Sequence, residues 1–151
     1  MRSEVDEILT GSFDFRIHTN PEPDIERRND YLEAGRDAHE AEMAGFVLMK
    51  HQYPTALLAY TLNRMYPRLN AVGSITLNRS VGGLNPDAVQ VVADLGAKVV
   101  WMPTVDVDTI SLVDDQGELV APVNDILAIA KARDLVLGAT RSSAKDTLAL
   151  F

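Results

Sequence analysis

The chain has 151 residues, 46% of them apolar and 24% charged, which is the range of an ordinary globular protein of about one domain. Such a composition excludes a disordered tail, a collagen-like fibre and a coiled coil. Fourteen basic against 22 acidic residues give a net charge of −8 without a basic stripe, so nucleic acid is not an expected partner.

The acidic N-terminus, Met1-Arg2-Ser3-Glu4-Val5-Asp6-Glu7, has no apolar core segment and does not read as a secretory signal. No apolar run approaches the roughly 20 residues of a membrane span, so a cytoplasmic protein that does not use the membrane is expected. The absence of cysteine excludes a disulfide scaffold, a thiolate metal site and a Cys nucleophile.

The elements then follow in chain order. Phe13–Ile17 is a short β-prone run, closed by His18-Thr19-Asn20-Pro21-Glu22-Pro23, where two prolines force a loop. From about 24 to 44, Tyr31, Leu32, Gly35, Ala38, Ala41 and Met43 fall near one face and predict a helix that stops at Gly45. The apolar run 46–50 predicts a second strand. Pro54 suits the first turn of the next helix, with Leu57, Leu58, Thr61, Leu62 and Met65 facing inward and Pro67 ending it. A third strand is predicted over 71–77. Asn85-Pro86-Asp87 predicts a helix start with a cap, a proline at the first position and an acid at the positive end, and that helix runs to Gly96. A fourth strand over 98–102 stops at Pro103.

Ser111-Leu112-Val113 and Glu118-Leu119-Val120 flank a turn-rich tetrapeptide and predict a small hairpin insertion at about 110–121. Asn124 and Asp125 open a helix through Lys131, 135–139 is a fifth strand, and 143–151 a last helix. Strands starting near 13, 46, 71, 98 and 135 are spaced as βα units require. Their continuous apolar character suits a parallel sheet covered on both faces. The predicted class is therefore α/β, in one domain over residues 1–151.

In parallel α/β folds the ligand site lies at the carboxyl ends of the strands. Alternation along the first strand puts Asp14, Arg16 and His18 on one side. The later strands end in Lys50-His51, in Thr76-Leu77-Asn78-Arg79, in Thr104-Val105-Asp106 and in Thr140-Arg141-Ser142. Ionisable groups gathered at one end of an apolar sheet are costly to desolvate and tend to be paired or functional. His39, inside a charged helix, reads as solvated surface.

With those residues in view, the chain resembles a bacterial family of amidohydrolase-like proteins within the metal-dependent hydrolases. The resemblance rests on Asp14-Phe15-Arg16-Ile17-His18 with Pro21 and Asp24, and on Val47-Leu48-Met49-Lys50-His51 with Pro54-Thr55-Ala56. It rests further on Gly82-Gly83-Leu84-Asn85-Pro86 and on Val100-Trp101-Met102-Pro103-Thr104-Val105-Asp106. It implies a (β/α) barrel, here incomplete with about five strands. It also implies a divalent metal (zinc, manganese or iron) that acidifies a water for attack on an amide, ester or lactone carbon. His18 and His51 would be metal ligands, and Asp14, Lys50 and Asp106 acid/base or metal-bridging groups.

The chain departs from the family's pattern at two ligand positions. Arg16 stands at the first His of an Asp-x-His-x-His strand, and Arg141 stands near the His of a Gly-His-Leu-Ser-like segment. A guanidinium has no lone pair to give a metal. The family's members are also about twice as long, and a full barrel takes about 250 residues.

Two readings therefore stand. In one, the chain is a non-catalytic or incomplete subunit that assembles with itself or with a second chain completing the barrel. It then binds a small anionic molecule through Arg16, Asn78, Arg79 and Arg141, with Lys50 adding charge. In the other, it is a metal-dependent hydrolase active when the remaining strands come in trans. An open arc could also flatten into a doubly wound sheet.

Overall fold

A computed structural model describes residues 4–139 and 141–150. Thr140, read as part of the fifth strand's polar end, and Phe151, read at the end of the last helix, lie outside them. A first helix that the sequence reading did not include, α1 (Glu4–Leu9), precedes β1 (Phe13–Ile17). The chain continues through α2 (Tyr31–Glu40), β2 (Gly45–Leu48), α3 (Ala56–Met65), β3 (Asn70–Val72) and β4 (Ser74–Thr76). It then passes a 3-10 turn at Arg79–Val81, α4 (Pro86–Asp94), β5 (Val99–Trp101), α5 (Ala121–Arg133), β6 (Val136–Gly138) and α6 (Ala144–Leu150).

The strands pair in parallel as two three-stranded sheets, β1-β2-β3 and β4-β5-β6. Strand order follows chain order, without the reversal that a doubly wound sheet contains. There is no closed barrel among the described residues: an incomplete (β/α) barrel of about five strands was expected, and two three-stranded parallel sheets are found.

The division comes from one residue. The predicted third strand, 71–77, is broken at Gly73 into β3, which pairs with β2, and β4, which pairs with β5. A Cβ on Gly73 would lie 2.6 Å from Ala56 Cα and 3.0 Å from Ala56 N, so only glycine lets the first turn of α3 approach. Past the break, hydroxyls replace the backbone ladder. Ser74 Oγ donates to Leu48 O and Thr76 Oγ1 to Lys50 O, both at 2.6 Å, and Thr55 Oγ1 also donates to Leu48 O. These bonds satisfy carbonyls that would otherwise be buried without a donor. Gly73→Ala is expected to destabilise the fold by about 2–3 kcal/mol, because backbone rather than a flexible side chain must yield. Urea denaturation measures this, and a loss below about 0.5 kcal/mol, the surface-substitution range, would show that the two segments move apart freely.

The helices cover one face. Ala38, Ala59 and Leu62 pack on Phe46, Leu48 and Ala71, and Val89, Val92, Val123 and Ile126 pack on Ile75, Leu77, Val100 and Met102. Alternate strand residues, Val47, Met49, Val99 and Trp101 with Phe13 and Val72, form a separate cluster with no helical residue in it. The Trp101 ring lies on Gly138, where a Cβ would meet it at 2.1 Å.

Several boundaries moved. The second helix begins at Tyr31 rather than near 24, because Asp30 and Glu33 form a capping box there. The preceding residues are held in a loop by Asn20, whose side chain bonds both Arg27 N and Arg27 O. The hairpin reduces to an isolated antiparallel bridge, Val113 to Leu119, over a turn in which Asp114 Oδ1 accepts from Gln116 N and Glu118 N. The helix after it starts at Ala121, three residues early. Asn85 caps α4 as expected, accepting from Ala88 N. His39 is half-buried and stacks on Tyr66 with ring centroids 4.9 Å apart, rather than standing free in solvent.

Candidate metal centre

The carboxyl ends of the parallel strands converge, as expected, on His18 and His51. His18 follows β1 directly and His51 stands three residues past β2; their ring centroids are 5.1 Å apart. A third residue completes the group. Glu22 lies in the loop after β1, with its side chain 1% exposed. One ligand atom from each of His18, Glu22 and His51 lies within 4.8 Å of the others.

The donor atoms are poorly satisfied by the protein. His18 Nδ1 and Glu22 Oε1 are 3.6 Å apart, beyond a hydrogen bond, and both are buried without a hydrogen-bond partner. The other carboxylate oxygen, Oε2, accepts from Arg27 Nε. Thr19, 2% exposed, also has an unpartnered hydroxyl. A buried carboxylate oxygen left beside a buried ring nitrogen is costly unless something comes between them.

His51 is fixed from behind. Its Nδ1 lies 2.7 Å from Thr104 Oγ1, which leaves Nε2 as the ring atom free for a ligand. Asn78 organises this wall. Its amide donates to His51 O and Thr104 Oγ1, and its carbonyl accepts from Thr104 N and Val105 N. The loop carrying Glu22 is pinned from the β2 side. Tyr53 OH donates to Pro21 O at 2.7 Å, Lys50 Nζ donates to the same oxygen at 3.3 Å, and Gln52 Nε2 donates to Asp24 Oδ2.

Electrostatics follows from burial. Desolvation lowers the pKa of His18 below 6.5, with the charges of His51, Arg27 and Arg16 in the same direction and Glu22 opposing. Burial likewise lowers His51, helped by Arg141, Arg27 and Arg16. Burial by itself would raise Glu22, but the Arg27 hydrogen bond and the charges of Arg27, His18 and Lys50 outweigh it, and its pKa falls below 4.5. Burial also lowers Lys50, which is 1% exposed.

These directions predict a pH profile for the metal-free protein. Both imidazoles bind protons less readily folded than unfolded. Stability is therefore full above pH 6.5 and falls as pH drops through the folded pKa values below it. Glu22 adds a further loss below pH 4.5, where the unfolded chain is protonated first. Urea midpoints taken in EDTA from pH 7.5 to 4 should decline, and the double variant His18→Gln/His51→Gln should flatten the upper part of that decline. A wild-type midpoint constant from pH 7 to 5 would contradict the burial argument.

Comparison with known families adds one match: DUF6282, a family of unknown function, covers residues 11–151. The chain belongs to this family. Among curated proteins, no sequence matches the chain. In this DUF6282 chain the matched span includes every residue of the His18–Glu22–His51 group.

The structure distributes the other predicted site residues unevenly. Lys50 lies beside the centre but points its ammonium at the Pro21 carbonyl. Asn78 is buried, and both ends of its amide are engaged within the protein. Asp106 Oδ2 accepts from Arg79 N, and Asp14 Oδ1 from Arg16 N. The alternation expected to align Asp14, Arg16 and His18 is interrupted by a register shift in β1 between Asp14 and Ile17. Arg16, Arg79 and Arg141 are exposed. Sequence reasoning missed Glu22. The available signal was its place four residues after His18, but in a proline-flanked loop that spacing carries no helical meaning.

Proposed function

We propose that this chain carries a divalent-metal centre of hydrolytic type, in an arc of a (β/α) barrel of the amidohydrolase-like kind. The observation that carries the reading is the pair of buried, unpartnered atoms, His18 Nδ1 and Glu22 Oε1, within reach of His51. Two imidazoles and one carboxylate are a ligand set that catalytic zinc uses, with a further position left open, and manganese or iron accept the same donors. Bound there, the metal would supply Lewis acidity and a water of lowered pKa for attack on an amide, ester or lactone.

The chain's own residues set the conditions. Arg27 occupies Oε2 of Glu22, so Oε1 is the oxygen left to ligate. Thr104 occupies Nδ1 of His51. Burial keeps both imidazoles neutral near pH 7, the form that binds metal. Tyr53 and Lys50 hold the Glu22 loop against the end of β2.

Sequential strand order and helices on one face support the barrel-arc reading. Among the described residues β1 and β6, like β3 and β4 on either side of Gly73, each pair with a single strand, and the outer edges at β1 and β6 support assembly with a second copy or a second chain that covers them. Light scattering at micromolar concentration should then give at least twice the chain mass of 16.5 kDa, and a monomer would remove the homomeric form.

Trp101 gives a direct test, because it is the single tryptophan and packs with Met49, two residues before His51. One equivalent of Co2+ should quench its emission and produce a visible ligand-field band. His18→Ala should abolish both. Emission indifferent to Co2+, or quenching unchanged in His18→Ala, would overturn the reading.

A further inference from the structure

A cavity of about 630 Å³ lies between β1 and α2. Its apolar wall comes from Ile17 and Phe46 on the strands, from Ala34, Ala38 and Ala41 along α2 and its end, and from Leu9. The alanines, three and four residues apart, share one helix face, and their small side chains leave the space open. The lining extends from Asp14 near the start of β1 to His18 and Thr19 just past its end, about 13 Å at the rise of a strand. Sites for small molecules typically measure roughly 300–1,000 Å³, with apolar walls and a few polar groups.

One end of this cavity belongs to the candidate centre. His18, with its Nδ1 3.6 Å from Glu22 Oε1, and Arg27, bonded to the other Glu22 oxygen, both line it. Thr19 lines it too, 2% exposed and with an unpartnered hydroxyl, so that end has a polar group in want of a partner. Arg28, also on the lining, is exposed and has no hydrogen bond or ion pair among the described residues. A helix of another chain laid over the cavity would bury that charge at a desolvation cost, whereas a slender ligand leaves it in water or pairs it with a polar head.

We infer that this cavity takes an unbranched aliphatic chain of the substrate, with the bond to be cleaved at the His18 end. The inference deepens the metal reading and rests on it for the word substrate, but the affinity for an aliphatic chain rests on the cavity. The substrate class is thus an amide or ester of a medium-chain fatty acid, about ten carbons for a span of about 13 Å, rather than of a short one. Hydrolysis breaks the bond from the carbonyl carbon to nitrogen or oxygen. Hydroxyl goes to that carbon and a proton to the leaving amine or alcohol, so the free fatty carboxylate is a product and serves as a probe.

The test titrates butyrate, hexanoate, octanoate and decanoate calorimetrically into the chain in EDTA. Affinity should rise about three- to fourfold for each added methylene, with one ligand per chain. Ala34→Phe and Ala41→Phe, both at half-buried positions, should each weaken decanoate roughly 10-fold or more, because the ring fills the space the chain needs. Urea denaturation identifies the variants that fold, and the wild-type chain-length series decides by itself if neither does. In Co2+-loaded protein, decanoate should also shift the visible ligand-field band, because His18 lines the cavity and belongs to the centre. No binding of decanoate, affinity independent of chain length, or equal affinity in wild type and a folded Phe variant would overturn the inference. Absence of binding together with an oligomer that the Phe variants dissociate would assign the cavity to a second copy instead. Decanoate binding that leaves the Co2+ band unmoved would overturn the chain's place in the substrate. Chain-length-dependent binding by protein that takes up no Co2+ would uphold the aliphatic site and refute the metal centre.

Discussion

Protein loaded with zinc is expected to melt roughly 5–10 °C above the metal-free form. Free metal at about 100 times its dissociation constant adds about 2.7 kcal/mol, and each kcal/mol is worth roughly 2–4 °C at this chain length. The ligands responsible would be His18, Glu22 and His51. Glu22→Gln should erase most of the gain. Glutamine keeps the shape and an oxygen for Arg27, but it removes the negative charge that holds the cation. His18→Ala and His51→Ala should erase it as well. Comparing each variant with and without EDTA separates lost ligation from lost packing, because only ligation changes the metal-dependent increment. A melting temperature indifferent to zinc, manganese and iron alike would sink the metal centre. An increment that survives Glu22→Gln would place the metal elsewhere.

Asn78→Ala is expected to lower stability by about 3–4 kcal/mol, near the upper end for one substitution. Its amide is 1% exposed and joins the ends of β2, β4 and β5 through four hydrogen bonds. Alanine leaves Thr104 N and Val105 N without the acceptor they share, at about 1–3 kcal/mol for each unsatisfied group, while His51 O keeps its bond from Ser80 Oγ. Asn78→Asp separates shape from bonding. It fills the same space and still accepts from Thr104 N and Val105 N, but it cannot donate to His51 O or Thr104 Oγ1. It should therefore also destabilise. Metal affinity should fall by roughly 10- to 100-fold in either variant, because Thr104 no longer sits fixed behind His51 Nδ1. Urea denaturation and a zinc competition assay measure the two effects. Loss of less than 1 kcal/mol in Asn78→Ala would show that water substitutes for the amide and that the strand ends do not depend on it.

The two variants bear on different parts of the site. Glu22 supplies a candidate ligand from a loop, and its position depends on Asn20, Tyr53 and Lys50 holding that loop to the end of β2. Asn78 supplies no ligand and acts through the wall behind His51. A Glu22 variant that lost metal binding with little change in stability, beside an Asn78 variant that lost both, would distinguish these roles.

Much of the architecture is determined by local sequence. Apolar runs, prolines and caps place β1, β2, β5 and α4 close to where they fold, because these signals act within a few residues. Lys50-His51 and His18 stand at strand ends for the same reason: a parallel strand emerges where its apolar run stops. Other features depend on contacts between segments distant in the chain. Gly73 splits one apolar run into two strands because the α3 backbone comes within 2.6 Å of its missing Cβ, a neighbour 17 residues away. The Glu22 carboxylate joins the histidines because a loop without periodicity is folded back by Asn20 and by residues that follow β2. Asn78 reads as a polar strand end, yet it is spent on bonds to residues about 26 positions on either side. Hydrophobic period and turn chemistry are thus written in neighbouring residues, whereas the geometry of a site is a sum of long-range approaches, and those exist only once the chain has folded.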